Sequence, residues 1–158
     1  MNEEKVCIKL LGDVEGLPLT TRTIFKQAQK RTEKNTGMTL AIAVNYGARA
    51  EICSAMQNLG EQIKEGKLNP KDIDEACVSS SLTTASLKDL ADPDLCIRTS
   101  GEMRLSNFLL WQLAYAEFYV TDCLWPDFDR YELLKALLAF QQRNRRFGGC
   151  ETETAGGE

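Results

Sequence analysis

The run Thr39 to Asn45, Thr-Leu-Ala-Ile-Ala-Val-Asn, most constrains what this chain can fold into. It is near-continuously apolar and short, the pattern of a strand buried on both faces of a parallel sheet. A strand of that kind requires a helical crossover on either side. The flanking sequence supplies both. Thr20 or Thr21 can cap a helix running to about Lys34, with Asn35-Thr36-Gly37 as its stop, and a second helix spans about Ala48 to Glu65, closed by Gly66.

The alternation continues along the chain. Lys5 to Leu11 is a short apolar run ended by Gly12-Asp13 and reads as a strand. Asn69-Pro70 opens a shorter helix through Ile73, Ala76 and Cys77. Asp94 to Arg98 is the third strand, and a buried helix starting near Ser106 carries Phe108 to Tyr115. Glu117 to Thr121 is a fourth strand, and Trp125-Pro126-Asp127 reads as a helix start. Asp129 caps the last helix, with Glu132 placed to complete a capping box and Leu133, Leu134, Leu137, Leu138 and Phe140 as its buried stripe. The expectation is an α/β fold with a mainly parallel sheet and helices on both faces. It forms one domain over residues 1–149, followed by a disordered acidic tail over residues 150–158.

Composition excludes several classes of function. A net charge of −4 argues against broad nucleic-acid binding, which needs a basic surface. The six cysteines include no C-x-x-C pair and there is no histidine, so mixed zinc sites and Ser-His or Cys-His nucleophile pairs are excluded. The cysteines read as reduced, small apolar residues of an intracellular protein. No apolar run approaches the ~20 residues needed to span a bilayer, so any membrane role is peripheral.

The chemistry concentrates in Arg98-Thr99-Ser100-Gly101-Glu102-Met103-Arg104-Leu105-Ser106-Asn107. Open α/β sheets bind ligands beyond the carboxyl ends of their strands, and guanidinium groups present paired donors that match phosphate oxygens. Arg98, Arg104 and Ser106 therefore form a candidate anion site, for a diphosphate. The competing reading gives the arginines structural ion pairs with Glu102 and Asp94, and makes Ser106 an ordinary helix cap. Glu117 opens an apolar strand, where a carboxylate needs a partner. That partner is either a neighbouring arginine or Mg²⁺ held through hard oxygen ligation. Asn45-Tyr46-Gly47-Ala48-Arg49 forms a tight strand-to-helix turn. Arg143-Asn144-Arg145-Arg146 is either a solvated helix end or a second phosphate-facing cluster.

Arg98 to Asn107, with Phe108 to Glu117 and Trp125-Pro126-Asp127-Phe128, strongly resembles the cis-prenyltransferases, the undecaprenyl and dehydrodolichyl diphosphate synthases. Asn45 to Arg49 is similar to that family's N-Y-G-G-R element, with Ala48 replacing its second glycine, and Arg146-Phe147-Gly148 is similar to its R-x-G element. The likeness runs from about Val6 to Gly149. It implies addition of isopentenyl diphosphate to an allylic diphosphate with formation of a cis double bond. It implies that Arg98, Arg104, Leu105 and Ser106 bind isopentenyl diphosphate, that Arg146 and Gly148 contact a diphosphate, and that Glu117 helps bind Mg²⁺. The same resemblance implies a homodimer or association with a complete synthase, while charge, cysteine usage and the lack of a long apolar run set the remaining expectations: no nucleic-acid partner, and a cytoplasmic location with any membrane contact peripheral.

The family's D-G-N-G-R-W motif, whose aspartate is its principal Mg²⁺ ligand, has no counterpart in the sequence. The chain thus resembles the C-terminal part of a cis-prenyltransferase, without the family's N-terminal strands and helices. The expectation is a piece that keeps the isopentenyl diphosphate half-site, retains no catalytic residue of the allylic half and is inactive alone. The alternative is a non-catalytic subunit or binding module that associates with a complete synthase.

Overall fold

A computed structural model describes residues 3–143. They are α/β, with all paired strands parallel, and they fall into two compact units. The first unit comprises residues up to 92 together with residues 105–112. The second comprises residues 93–104 and those from 113 onward.

In the first unit, β1 (Cys7–Leu11) pairs with β2 (Thr39–Ala43) in the register Cys7 to Thr39 through Leu11 to Ala43. The crossover between them is α1 (Leu19–Thr32), which packs on β1. Pro18 stands at its N-cap position and no side chain caps it, so the threonines expected there lie inside the first turn. Its other end is tied to the strand: the buried Thr32 Oγ1 accepts from buried Ile8 N at 3.0 Å and donates to the part-buried Ala28 O at 2.9 Å. After β2 comes α2 (Ala48–Lys64), then a 3-10 turn at Pro70–Asp72 and α3 (Glu75–Ser81). The single short helix expected from Asn69-Pro70 is thus broken in two. Asn69 accepts from Lys71 N, and Asp74 accepts from Cys77 N at 2.8 Å to begin the second piece. A further 3-10 segment, Thr83–Leu90, is interrupted by Lys88 at φ 55° and packs on β1. The core of this unit is built from Val6, Cys7, Ile8, Leu11, Ala48, Ala55, Leu59 and Leu82.

In the second unit, β3 (Leu95–Arg98) pairs with β4 (Glu117–Val120), Leu95 facing Glu117 and Arg98 facing Val120. A 3-10 turn at Trp125–Asp127 precedes α4 (Arg130–Gln141), which packs on β4. Asp129 caps α4 as its sequence predicts, accepting from Tyr131 N at 2.8 Å and Glu132 N at 3.1 Å. The Glu132 carboxylate turns instead to Lys135 Nζ, 2.5 Å away. Leu113 and Ala136 are the buried apolar residues among the described residues of this unit, while Leu133, Leu134, Leu137 and Leu138 of the expected buried stripe are each about half exposed.

One expected element does not form. Residues 106–115 are a chain of turns and bends rather than a helix. Ser106, Asn107 and Leu109 take φ of 50°, 63° and 45°, the left-handed region that a right-handed helix excludes. Phe108 N bonds Leu105 O at 3.1 Å, closing a tight turn with both central residues left-handed. Five cysteines among the described residues carry free thiols, from buried Cys7 to exposed Cys53. Arg146, Gly148, Cys150 and the acidic tail lie outside the described residues.

Candidate functional site

In the second unit, Arg98 ends β3 and its carbonyl accepts from Thr121 N at 2.9 Å. The chain then turns sharply through Ser100 at φ 66° and Gly101 at φ 65°. Ser100 N and Gly101 N are tied to Cys123 O and Thr121 O, each at 2.9 Å. A side chain at Gly101 would come within 2.7 Å of Asp122 Oδ1, so glycine suits both the conformation and the space. These bonds fasten the turn after β3 to the segment that follows β4. Arg98 Nε is buried and has no hydrogen-bond partner among the described residues. An orphaned, buried donor on a permanent cation is costly and is satisfied by an anion. Beside it, burial raises the Cys96 thiol above its ordinary value while the Arg98 charge opposes the rise, so this sulfur stays a thiol at neutral pH.

Arg104 is largely exposed and forms an ion pair with Glu102. Glu117 Oε2 accepts from Arg143 at 2.7 Å. The arginine partner that competes with a metal for Glu117 is therefore the one in place. Among the described residues no three His, Cys, Asp or Glu side chains are grouped to hold a metal ion. These residues do not by themselves fit the Mg²⁺ that the sequence resemblance implies.

The first unit carries Leu105 and Ser106. The turn they share with Asn107 and Phe108 is fixed to the start of α2: Asn107 O accepts from Ala48 N and Asn107 Oδ1 from Arg49 N, each at 2.9 Å. Gly47, at the N-cap, offers no side chain of its own, and a Cβ there would meet Asn107 Nδ2 at 2.8 Å. The glycine of the Asn45-Tyr46-Gly47 turn thus admits a cap supplied from elsewhere in the chain. The Tyr46 ring meets Phe108 edge-on, centroids 5.8 Å apart.

Beyond the carboxyl ends of β1 and β2 lies a cleft of about 270 Å³, walled by Gly12, Asp13, Asn45, Tyr46, Glu51 and Thr83, among others. Its buried anchor is Glu51. Tyr46 Oη donates to Glu51 Oε2 at 2.5 Å and Gln112 Nε2 to the same oxygen at 3.1 Å. Thr83 N donates to Oε1 at 2.8 Å, and the Thr83 hydroxyl donates to Oε1 as well. Burial resists ionisation of Glu51, but the Thr83, Tyr46 and Gln112 donors outweigh it and hold the carboxyl below its ordinary range. Tyr46 is driven the other way, by burial first and then by its hydrogen bond to Glu51 and the Glu51 charge, so its hydroxyl keeps its proton.

The sequence singled out Arg98, Arg104, Leu105, Ser106 and Glu117. Arg98, Arg104 and Glu117 belong to the second unit, and Leu105 and Ser106 to the first. It passed over Glu51, Asn107 as a cap, and Gln112. Glu51 has the look of a favourable acid in a first helical turn, and a contact 58 residues away leaves no local signal.

The family model Prenyltransf, described as an undecaprenyl diphosphate synthase, matches residues 1–148. The chain belongs to this family. Among similar members are two curated isoprenyl transferases. That of Bacillus subtilis (strain 168) is 54% identical over 147 residues, 93% of this chain and 55% of the relative. That of Geobacillus kaustophilus (strain HTA426) is 51% identical over 146 residues, 92% of this chain and 56% of the relative. The fold matches a crystal structure of lavandulyl diphosphate synthase from Lavandula x intermedia in complex with dimethylallyl diphosphate. The TM-score is 0.90 at 39% identity, covering 92% of this chain and 61% of that one. The chain thus spans about 55% of the length of the curated relatives it matches. Among the described residues no helix is long and apolar enough to cross a membrane.

Proposed function

We propose that this chain supplies the isopentenyl diphosphate half-site of a cis-prenyltransferase. The reaction joins isopentenyl diphosphate to an allylic diphosphate. The allylic C–O bond breaks with loss of diphosphate, the alkene of isopentenyl diphosphate forms the new C–C bond, and a proton leaves. On this reading the residues of the chain bind and orient. On the second unit Arg98 and Arg104 offer charge to a diphosphate, and on the first unit the Ser106 hydroxyl, beside Leu105, offers a donor to one. Fixing the nucleophilic alkene in place is worth several kcal/mol of the barrier. The observation that carries the reading is the buried, unpartnered Nε of Arg98 at the carboxyl end of a parallel strand. The Arg104–Glu102 pair does not oppose it, since both side chains are substantially exposed and such a pair is worth about 1 kcal/mol or less.

Titration calorimetry with isopentenyl diphosphate tests the reading. Arg98→Ala removes a charge-assisted donor and should weaken binding by about tenfold or more. Unchanged affinity at an unchanged unfolding midpoint would refute it. Transfer of radiolabelled isopentenyl units, assayed with this chain alone and with a complete synthase added, separates an active transferase from a binding subunit.

A further inference from the structure

The first unit holds the backbone of Ser106 in a tight turn. Ser106 and Asn107 are the two central residues of the left-handed turn closed by Phe108 N and Leu105 O at 3.1 Å. Asn107 then spends both its carbonyl and its side-chain oxygen on the opening amides of α2, Ala48 N and Arg49 N. Side-chain capping from within a helix's own N-terminus is the ordinary arrangement, and Gly47 has no side chain to provide it. At the far end of the same segment, Gln112 Nε2 is held by buried Glu51 at 3.1 Å and by Thr84 Oγ1 at 3.0 Å. The segment from Leu105 to Gln112 is therefore fastened at both ends to one helix and its neighbour. Resting on the half-site assigned above, we propose that Asn107 is a positioning residue for it: its cap on α2 sets the orientation of the Leu105–Ser106 turn.

The chemistry permits a separation of backbone from side chain. Asn107→Gly keeps the left-handed φ at no steric cost, keeps the carbonyl bond to Ala48 N and removes only the side-chain bond to Arg49 N. Asn107→Asp tolerates the same φ and restores an acceptor that the helix dipole favours. Asn107 is exposed, so both variants leave the core intact. Each is compared with wild type and with Ser106→Ala in the full chain, by calorimetry with isopentenyl diphosphate and by hydrogen exchange over residues 105–112. Asn107→Gly should bind about tenfold more weakly and exchange faster across that segment, while Asn107→Asp binds within about twofold of wild type. If Ser106→Ala weakens binding but Asn107→Gly binds as wild type does, the positioning role is wrong and the half-site stands. An equal loss in the Gly and Asp variants, matched by an equal fall in the unfolding midpoint, also overturns the positioning role. If wild type itself fails to bind, the half-site reading falls, and this inference with it.

Discussion

Replacing Glu51 by glutamine changes one oxygen for an amide nitrogen at a buried carboxylate that accepts on both oxygens. The carboxylate takes bonds from Tyr46 Oη at 2.5 Å, Thr83 N at 2.8 Å and Gln112 Nε2 at 3.1 Å, and from the Thr83 hydroxyl. Glutamine offers a single neutral acceptor to donors that converge on two oxygens. Bonds to a charged group are worth about 1.5–3 kcal/mol against roughly 1 kcal/mol for neutral ones. In addition, whichever pair faces the new amide nitrogen loses its acceptor, and each buried donor so stranded costs about 1–3 kcal/mol. Hydroxyls can rotate away to recover part of this, which leaves a net loss of about 3–5 kcal/mol for Glu51→Gln. Trp111 reports on the same unit, because its indole N–H donates to Ser79 Oγ at 2.9 Å. The chain has two tryptophans, so a Trp125→Phe background leaves Trp111 as the only indole. Urea unfolding followed by its fluorescence should show the midpoint falling by about 1.5 M or more at a slope near 2 kcal/mol/M. A loss below about 1 kcal/mol with unchanged slope would refute the assignment of Glu51 as the charged anchor of this cluster.

The same carboxylate makes a pH prediction. Its folded-state pKa lies below the unfolded value, so its contribution to stability is complete above the ordinary glutamate pKa of about 4.3 and is lost as pH falls through the lowered folded value. Acid unfolding profiles of wild type and Glu51→Gln should therefore converge at the acid end and separate toward neutrality, and parallel profiles would contradict the shift. At Gly12, φ is 93° and a Cβ would sit 2.4 Å from Val44 O, a backbone atom that cannot swing aside. Gly12→Ala should cost at least about 2 kcal/mol in denaturant unfolding, whereas the same change at Gly60, where a Cβ meets nothing within 4 Å, should be neutral or stabilising.

Local chemistry was legible wherever it was decided locally. The apolar runs gave all four strands, α2 begins at Ala48 as its pattern predicts, and Asp129 caps α4 through amides two and three residues on. The stretch Phe108 to Tyr115 misled because its apolar content fits a buried helix equally well, and composition carries no record of backbone handedness. What decides that stretch is Asn107, drawn into the left-handed region where it can reach the amides of a helix 58 residues earlier. Glu51 was illegible for a related reason. Its partners Thr83 and Gln112 lie 32 and 61 residues away, so nothing near it announces a buried carboxylate. Arg98 stood out because residue type, strand end and glycine turn occur together in four positions of sequence.

The borrowed cap on α2 also orders events during synthesis. A nascent chain that has left the ribosome only as far as Gly101 already holds every residue of β1, β2 and α2, yet the amides of Ala48 and Arg49 have only water to bond. The helix acquires its finished first turn when Asn107 emerges, so a translational pause ahead of that codon prolongs a frayed intermediate, and one just after it does not.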